Sequence, residues 1–203
     1  MAAFLKDFPD VRIELDLSDR LSALATEGYD LAIRHTARPP DTHVAWALCA
    51  TESVLVATRA YIGQHGEPQS PTELQAHNCL HYPRSQDTPA WTFEPRGPLE
   101  ARERITVPVS GPFAANTGAG IALLPDFSAQ AELRKGQLVR VLPGWKPVGA
   151  FAETIYAIRP YAPHVPRAVA ALVAHLRAGL AAGFGCDFQP AKGLGTAVSM
   201  GPG

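Results

Sequence analysis

Residues 11 to 35, VRIELDLSDRLSALATEGYDLAIRH, change hydrophobic period twice, and few folds accept that pattern. Val11, Ile13, Leu15 and Leu17 alternate with Arg12, Glu14 and Asp16, the period of a strand with one face toward a core. Ser18 or Asp19 can cap a short helix that sets Leu21, Leu24 and Ala25 on its inner side. Gly28 ends that helix, and YDLAIRH (29–35) returns as a strand. Strand, helix and strand over so short a span predict a βαβ unit, with parallel strands and a right-handed crossover.

The flanking sequence extends the pattern. AAFLKDF reads as the end of a helix with Phe4, Leu5 and Phe8 on one face, stopped at Pro9. VAWALCATESVLVAT (44–58) is strand-rich. TRAYIGQHG and SPTELQAH read as short helical turns, and CLHY, AWTF and ITVPVS as short strands between Pro and Gly breakers. FSAQAELRKG predicts a helix closed by Gly136, followed by strands at LVRVL (138–142) and ETIYAI (153–158). In HVPRAVAALVAHLRAGLAA, Val165, Val169, Leu172, Leu176 and Leu180 form one apolar stripe at helical spacing. Beyond Gly183 the chain has no periodicity, and a loosely attached tail is expected there. The whole is a mixed α/β chain in which a central excursion leaves a βαβ layer near residue 54 and a terminal helix returns to it. Two lobes joined by two crossing strands fit this order.

Composition closes off several function classes. A formal net charge of −1 provides no basic face for nucleic acid, and the basic clusters Arg102/Arg104 and Arg134/Lys135 are short and interrupted by Glu. No apolar run is long enough to span a bilayer, and MAAFLKDFPDV lacks the pattern of a secretory signal, so no membrane partner and a cytoplasmic location are expected. Cys49, Cys79 and Cys186 are odd in number and far apart, which implies no disulfide framework. Neither a G-x-S-x-G elbow nor an H-E-x-x-H motif is present, and no acid/base pair stands out, so no enzyme and no cofactor are predicted. His77-x-Cys79-x-His81 would align two imidazoles and a thiol on a strand. It lacks the further ligand that a structural zinc site needs, and it reads as a packing motif with no metal.

FAANTGAGIALLPDF (113–127) sets an Asn-Thr-Gly turn and a Gly-x-Gly against an apolar run. Gly118 and Gly120 lack the third glycine of a dinucleotide fingerprint, whose position is Leu123, and no GK[ST] follows for a P-loop.

FLKDFPDVRIELDLSDRLSALATEGYDLAIRHT, LVATRAYIGQHGEPQSPTELQAHNCLHY, WTFEPRG, GIALLPDF, GQLVRVLPGW and IYAIRPYAPHVPRAVAALVAHL together resemble, in order, the regulatory half of LysR-type transcriptional regulators, from about Phe4 to Leu180. The resemblance implies a type 2 periplasmic-binding-like fold: two α/β subdomains joined by crossing strands, with a small effector in the cleft. On this reading residues 1–53 and 154–182 form subdomain I, residues 54–153 form subdomain II, and 183–203 are a disordered tail. The fold is expected to be incomplete in two places. The family's winged helix-turn-helix, linker helix and first regulatory strand have no counterpart, and a helix of roughly ten residues, about three turns, is missing between Asn116 and Gly118. A parallel crossover cannot be built from Asn116 to Gly120, so the strands nearby must pair differently or lose a layer. Loss of that helix N-terminus predicts weakened effector binding.

The same resemblance places the candidate effector residues. Arg34, His35 and Thr36 close a strand at the end where open α/β sheets hold ligands. Arg34 there can pair bidentately with a carboxylate, or tie down its own loop. Tyr82, Arg84 and Ser85 would line the second lobe, and Asn116 and Thr117 the turn facing the effector. The implied partners are a small-molecule effector, with a carboxylate as the candidate class, and a second copy or an intact family member. Promoter DNA would be reached only through a head that this sequence does not contain. A stand-alone solute-binding protein of the same fold is the alternative.

Overall fold

The run SVLVAT has no polar face, and its position explains why. The computed structural model describes residues 2–17, 28–81, 89–97, 103–110 and 120–184. Within it, β3 (Ser53–Thr58) is an inner strand of a four-stranded sheet ordered β4-β7-β3-β8, with β4 at Cys79–Leu80, β7 at Ile121–Pro125 and β8 at Leu138–Val141. Successive side chains of a strand leave opposite faces. Leu55 and Ala57 enter the larger core with Tyr61, Leu74 and Phe93, while Val54 and Val56 pack with Ala129. Ala129 belongs to α3 (Asp126–Arg134), which covers that second face.

The larger core is closed by a second sheet of this lobe, ordered β6-β5-β9, with β5 at Ala90–Pro95, β6 at Ile105–Pro108 and β9 at Trp145–Val148. Trp91, Phe93 and Val107 point inward from it. The remaining turns are α2 (Arg59–His65) and a 3-10 helix at Pro71–Ala76. The Thr58 hydroxyl caps α2 by accepting from the Tyr61 N–H at 3.2 Å.

In the other lobe, β1 (Ala32–His35), β10 (Thr154–Pro160) and β2 (His43–Ala50) form an antiparallel sheet in the order β1-β10-β2. α4 (Arg167–Leu180) lies on it, packing Val169 and Val173 against Leu48, Ile155 and Ala157, with Leu176 and Leu180 beside them. Val165, expected in the stripe, precedes the helix and is exposed, and Val173 rather than Leu172 fills the core. α1 (Ala2–Asp7) ends before Pro9 and buries Phe4, whose ring sits edge-on to His175 of α4 at 5.3 Å. Leu5 and Phe8, expected on the same face, are exposed. The strand-rich stretch 44–58 thus serves both lobes, crossing at Thr51-Glu52, and the chain crosses back at Ala152-Glu153. The two crossings are tied by the Thr51 N–H donating to the Glu153 carbonyl at 2.9 Å.

Three sequence expectations change. First, residues 11–17 form no strand. They have no ladder partner among the described residues, and Leu15 and Leu17 are 68% and 85% exposed. β1 instead pairs antiparallel with β10, Arg34 standing opposite Tyr156. Alternation only supplies a face; a strand also needs a neighbour for its backbone N–H and C=O groups. A hydrogen bond from Tyr29 to Asp16 holds the segment nearby without any such ladder. The helix expected at 18–27 lies outside the described residues.

Second, β6 and β7 belong to different sheets, so no parallel crossover is required between them. The parallel partner of β7 is β4, far back in the chain. Gly120 is fixed by this pairing. The Ile121 N–H donates to the Asn78 carbonyl at 2.8 Å, and a Cβ on Gly120 would come within 2.3 Å of that same oxygen. Third, WKPV forms β9, which the pattern did not reveal. Pro147 is tolerated because β9 is an edge strand.

Candidate functional site

The two crossings place several polar groups in one small volume between the lobes. His35, at the end of β1, sets Nε2 2.7 Å from the Ala152 carbonyl and 3.0 Å from Oγ1 of Thr51. A carbonyl only accepts, so Nε2 carries the proton in this arrangement. The Thr51 hydroxyl donates to the same carbonyl at 3.2 Å, and the imidazole stands edge-on to Phe127 at 5.0 Å. His35 therefore links the first lobe to both crossings.

Its neighbours face elsewhere. Arg34 is half-buried, and strand alternation sends it to the other face of the sheet. Thr36 donates its hydroxyl to the Arg38 carbonyl at 3.1 Å, and its N–H to the Thr154 carbonyl at 3.3 Å. The structure keeps these three candidates together in sequence but does not converge them on one point. Tyr82, Arg84, Ser85, Asn116 and Thr117 lie outside the described residues.

Two carboxylates at the first crossing went unnoticed in the sequence. Asp126, the first residue of α3, is 5% exposed. Its carboxylate accepts from the Phe127 N–H at 2.8 Å and the Glu52 N–H at 3.1 Å, while its own N–H donates to the Glu52 carbonyl at 2.9 Å. Burial pushes its carboxyl above the usual aspartate range, an effect that the two backbone donors and nearby His35 only partly offset and that nearby Glu52 reinforces.

Glu52 moves the opposite way. Burial alone would raise it, but hydrogen bonds from Arg96 and Arg140 hold it below the usual glutamate range. Arg96 Nη2 lies 2.6 Å from Oε2, and Arg140 of β8 binds Oε1. The available signal was an acidic residue directly after an apolar strand (LLPDF) and another between two apolar strands (CATESVL).

Beside the second crossing an open groove of about 510 Å³ spans both lobes. Ala37 contributes from the loop after β1, and Ala152, Glu153 and Thr154 from the crossing itself. Glu94 of β5, Arg104 before β6, and Lys146 and Val148 of β9 line the second-lobe side, with Phe151 between. The charged groups form the pairs Arg104–Glu94 at 2.7 Å and Lys146–Glu153 at 2.9 Å. None of these residues stands out in the sequence, because the chain brings them together from four distant segments.

The His77-Cys79-His81 stretch is built into packing. His77 Nδ1 is 3.2 Å from the Tyr61 hydroxyl, and burial lowers its basicity. Cys79 is fully buried, its thiol donates weakly to the Leu74 carbonyl, and burial pushes it up to about 12. Among the described residues no three His, Cys, Asp or Glu side chains cluster to hold a metal ion. Nor is any described helix long and apolar enough to cross a membrane.

Comparison with known proteins agrees with this architecture. The family model for the LysR substrate binding domain matches residues 1–181. The probable HTH-type transcriptional regulator LtrA of Klebsiella pneumoniae is 31% identical over 202 residues, covering 95% of this chain and 64% of LtrA. HTH-type transcriptional regulator PtxR of Pseudomonas aeruginosa is 35% identical over 188 residues, covering 87% of this chain and 57% of PtxR. The chain thus spans about three-fifths of these curated relatives, 64% and 57% respectively. Among solved structures, the regulatory domain of CrgA from Neisseria meningitidis superposes with a TM-score of 0.69 at 22% identity, over 88% of this chain and 89% of that one. Full-length AphB from Vibrio cholerae, described as a virulence activator of the LTTR family, gives 0.65 at 25% identity, over 88% of this chain and 61% of AphB. Two α/β lobes joined by crossing segments, a family model matching 1–181 and relatives of one kind lead to one assignment: the chain belongs to the LysR substrate-binding-domain family.

Proposed function

We propose that this chain is the small-molecule-sensing part of a LysR-type transcriptional regulator, with the effector held in the groove beside the second crossing. The observation that carries this reading is the groove itself. It takes its lining from Ala37 of one lobe, from Glu94, Arg104 and Lys146 of the other, and from the crossing between them. A ligand seated there touches both lobes at once, so its binding energy depends on their relative position. That dependence is what allows a ligand to shift a conformational equilibrium.

In this reading the protein acts in the cytoplasm without catalysing a reaction. It assembles with a second copy or an intact family member, and promoter DNA is contacted by a winged helix-turn-helix outside these residues. His35 and Thr36 would act through the groove-lining Ala152 and Thr154 that they bind, and the second-lobe candidates Tyr82, Arg84, Ser85, Asn116 and Thr117 would contribute contacts of their own, while Arg34 lies on the other face of its strand. No specific observation favours a stand-alone solute-binding protein.

Calorimetric unfolding of the purified chain with a panel of small aromatic and aliphatic carboxylates tests the reading. A ligand that binds only the native state raises the midpoint with concentration. A broad transition indifferent to every ligand would count against the reading. A salt-dependent DNA shift by the chain alone would contradict the assignment of DNA contact to another segment.

A further inference from the structure

The chemistry of the ligand can be narrowed, on the reading that the groove is the effector site. Glu94 and Lys146 stand directly opposite each other in the β5–β9 register. Each nevertheless takes a different partner: Arg104 Nε lies 2.7 Å from Glu94 Oε1, and Lys146 Nζ 2.9 Å from Glu153 Oε1. Two cations and two carboxylates are therefore interleaved in one groove, and the lining beside them is apolar, at Val148, Phe151 and Ala152.

Charge balance then discriminates between ligands. The Arg104 and Glu153 side chains are 69% and 60% exposed and free to swing outward, whereas their partners Glu94 and Lys146 are 14% and 36% exposed and need a counter-charge when left. A ligand with only a carboxylate draws a cation from its pair and leaves a glutamate beside a second negative charge. A lone amine strands a cation in the same way. A molecule with both groups replaces each partner it displaces. We propose that the groove binds a small zwitterion, a carboxylate and an ammonium on an apolar body as in an α-amino acid. Its carboxylate meets Arg104 or Lys146, its ammonium meets Glu94 or Glu153, and its body lies on Val148 and Phe151.

The test uses valine, leucine and phenylalanine, each beside the acid lacking the amine and the amine lacking the carboxylate. Midpoints of calorimetric unfolding are measured over a concentration series, with isothermal titration for any probe that shifts them. At least one amino acid is expected to raise the midpoint by about 2 °C or more at millimolar concentration, with its single-charge analogues about tenfold weaker or worse. Arg104→Gln and Glu153→Gln should each leave the unfolding transition cooperative while amino-acid affinity falls by about fivefold or more. Analogues that bind as well as the amino acids overturn the zwitterion assignment and leave the groove as the site. Amino-acid binding indifferent to both of these and to Lys146→Gln and Glu94→Gln removes the ligand from this groove. A cooperative transition that none of these probes shifts overturns the zwitterion assignment, and one that the wider carboxylate panel also leaves unmoved overturns the sensing reading itself.

Discussion

The sharpest stability prediction concerns Asp126. Its carboxylate is nearly inaccessible and satisfies two backbone donors, the N–H groups of Phe127 and Glu52, at 2.8 and 3.1 Å. Asp126→Ala removes both acceptors without offering water a route in. Each stranded donor costs about 1–3 kcal/mol, and release of a desolvated charge returns part of that, so a net loss of about 2–4 kcal/mol is expected. Asp126→Asn keeps one acceptor but turns an amide N–H₂ toward a backbone N–H; removal of the charge beside Glu52 compensates, and the loss should be about 1–2 kcal/mol.

The pH dependence separates this account from simple packing loss. A carboxyl raised in the folded state penalises the native protein while it is charged. Stability from this group therefore rises as pH falls through its raised folded value toward the usual aspartate value of 3.8. Asp126→Asn cannot titrate, so its deficit relative to wild type should widen over that window. Urea unfolding at a series of pH values, read as midpoints with the slope checked for constancy, measures both effects. A loss below about 1 kcal/mol for the alanine variant would refute the reasoning. So would an asparagine deficit that shrinks on acidification.

Glu52→Gln should show the opposite pH behaviour. Wild-type Glu52 is held low by Arg96 and Arg140, so its contribution is present above the unfolded glutamate value and disappears as pH falls through the lowered one. The gap between wild type and variant should therefore close in acid, as thermal melts at neutral and acid pH would reveal. Gly120→Ala drives a Cβ to 2.3 Å from the Asn78 carbonyl, a backbone atom that cannot rotate away, and should cost about 2–4 kcal/mol in urea unfolding. Cys79, fully buried and pushed up to about 12, should resist a thiol reagent at pH 8 until the protein unfolds, as mass spectrometry of the modified peptides can establish.

What could be read from the sequence depended on how local its cause was. The helical stripe of α4 was legible as the imprint of one packing surface, and the run of β3 because both of its faces are buried, one in each of two cores. Residues 11–17 carry an equally clean alternation, yet they form no strand, since pairing depends on a neighbour that pattern cannot supply. β9 was hidden by the reverse effect: Pro147 argues against a strand, and only its place at a sheet edge permits one. The candidate site was less legible still. His35 was singled out for its position at a strand end, but its bonds run to Thr51 of the first crossing and to Ala152 of the second, 117 residues later. Asp126 and Glu52 are unremarkable letters until a backbone N–H from each side finds the other residue.

The clamp on Glu52 fixes where the molecule can bend. Arg96, Arg140 and Asp126 all belong to the second lobe, and together they make Glu52 part of that rigid body. Thr51, one peptide earlier, is bonded to His35 of the first lobe. At this crossing the freedom to turn one lobe against the other therefore lies in the backbone torsions flanking the planar Thr51–Glu52 peptide, rather than along a long connector. The His35–Ala152 hydrogen bond ties the same first lobe to the second crossing.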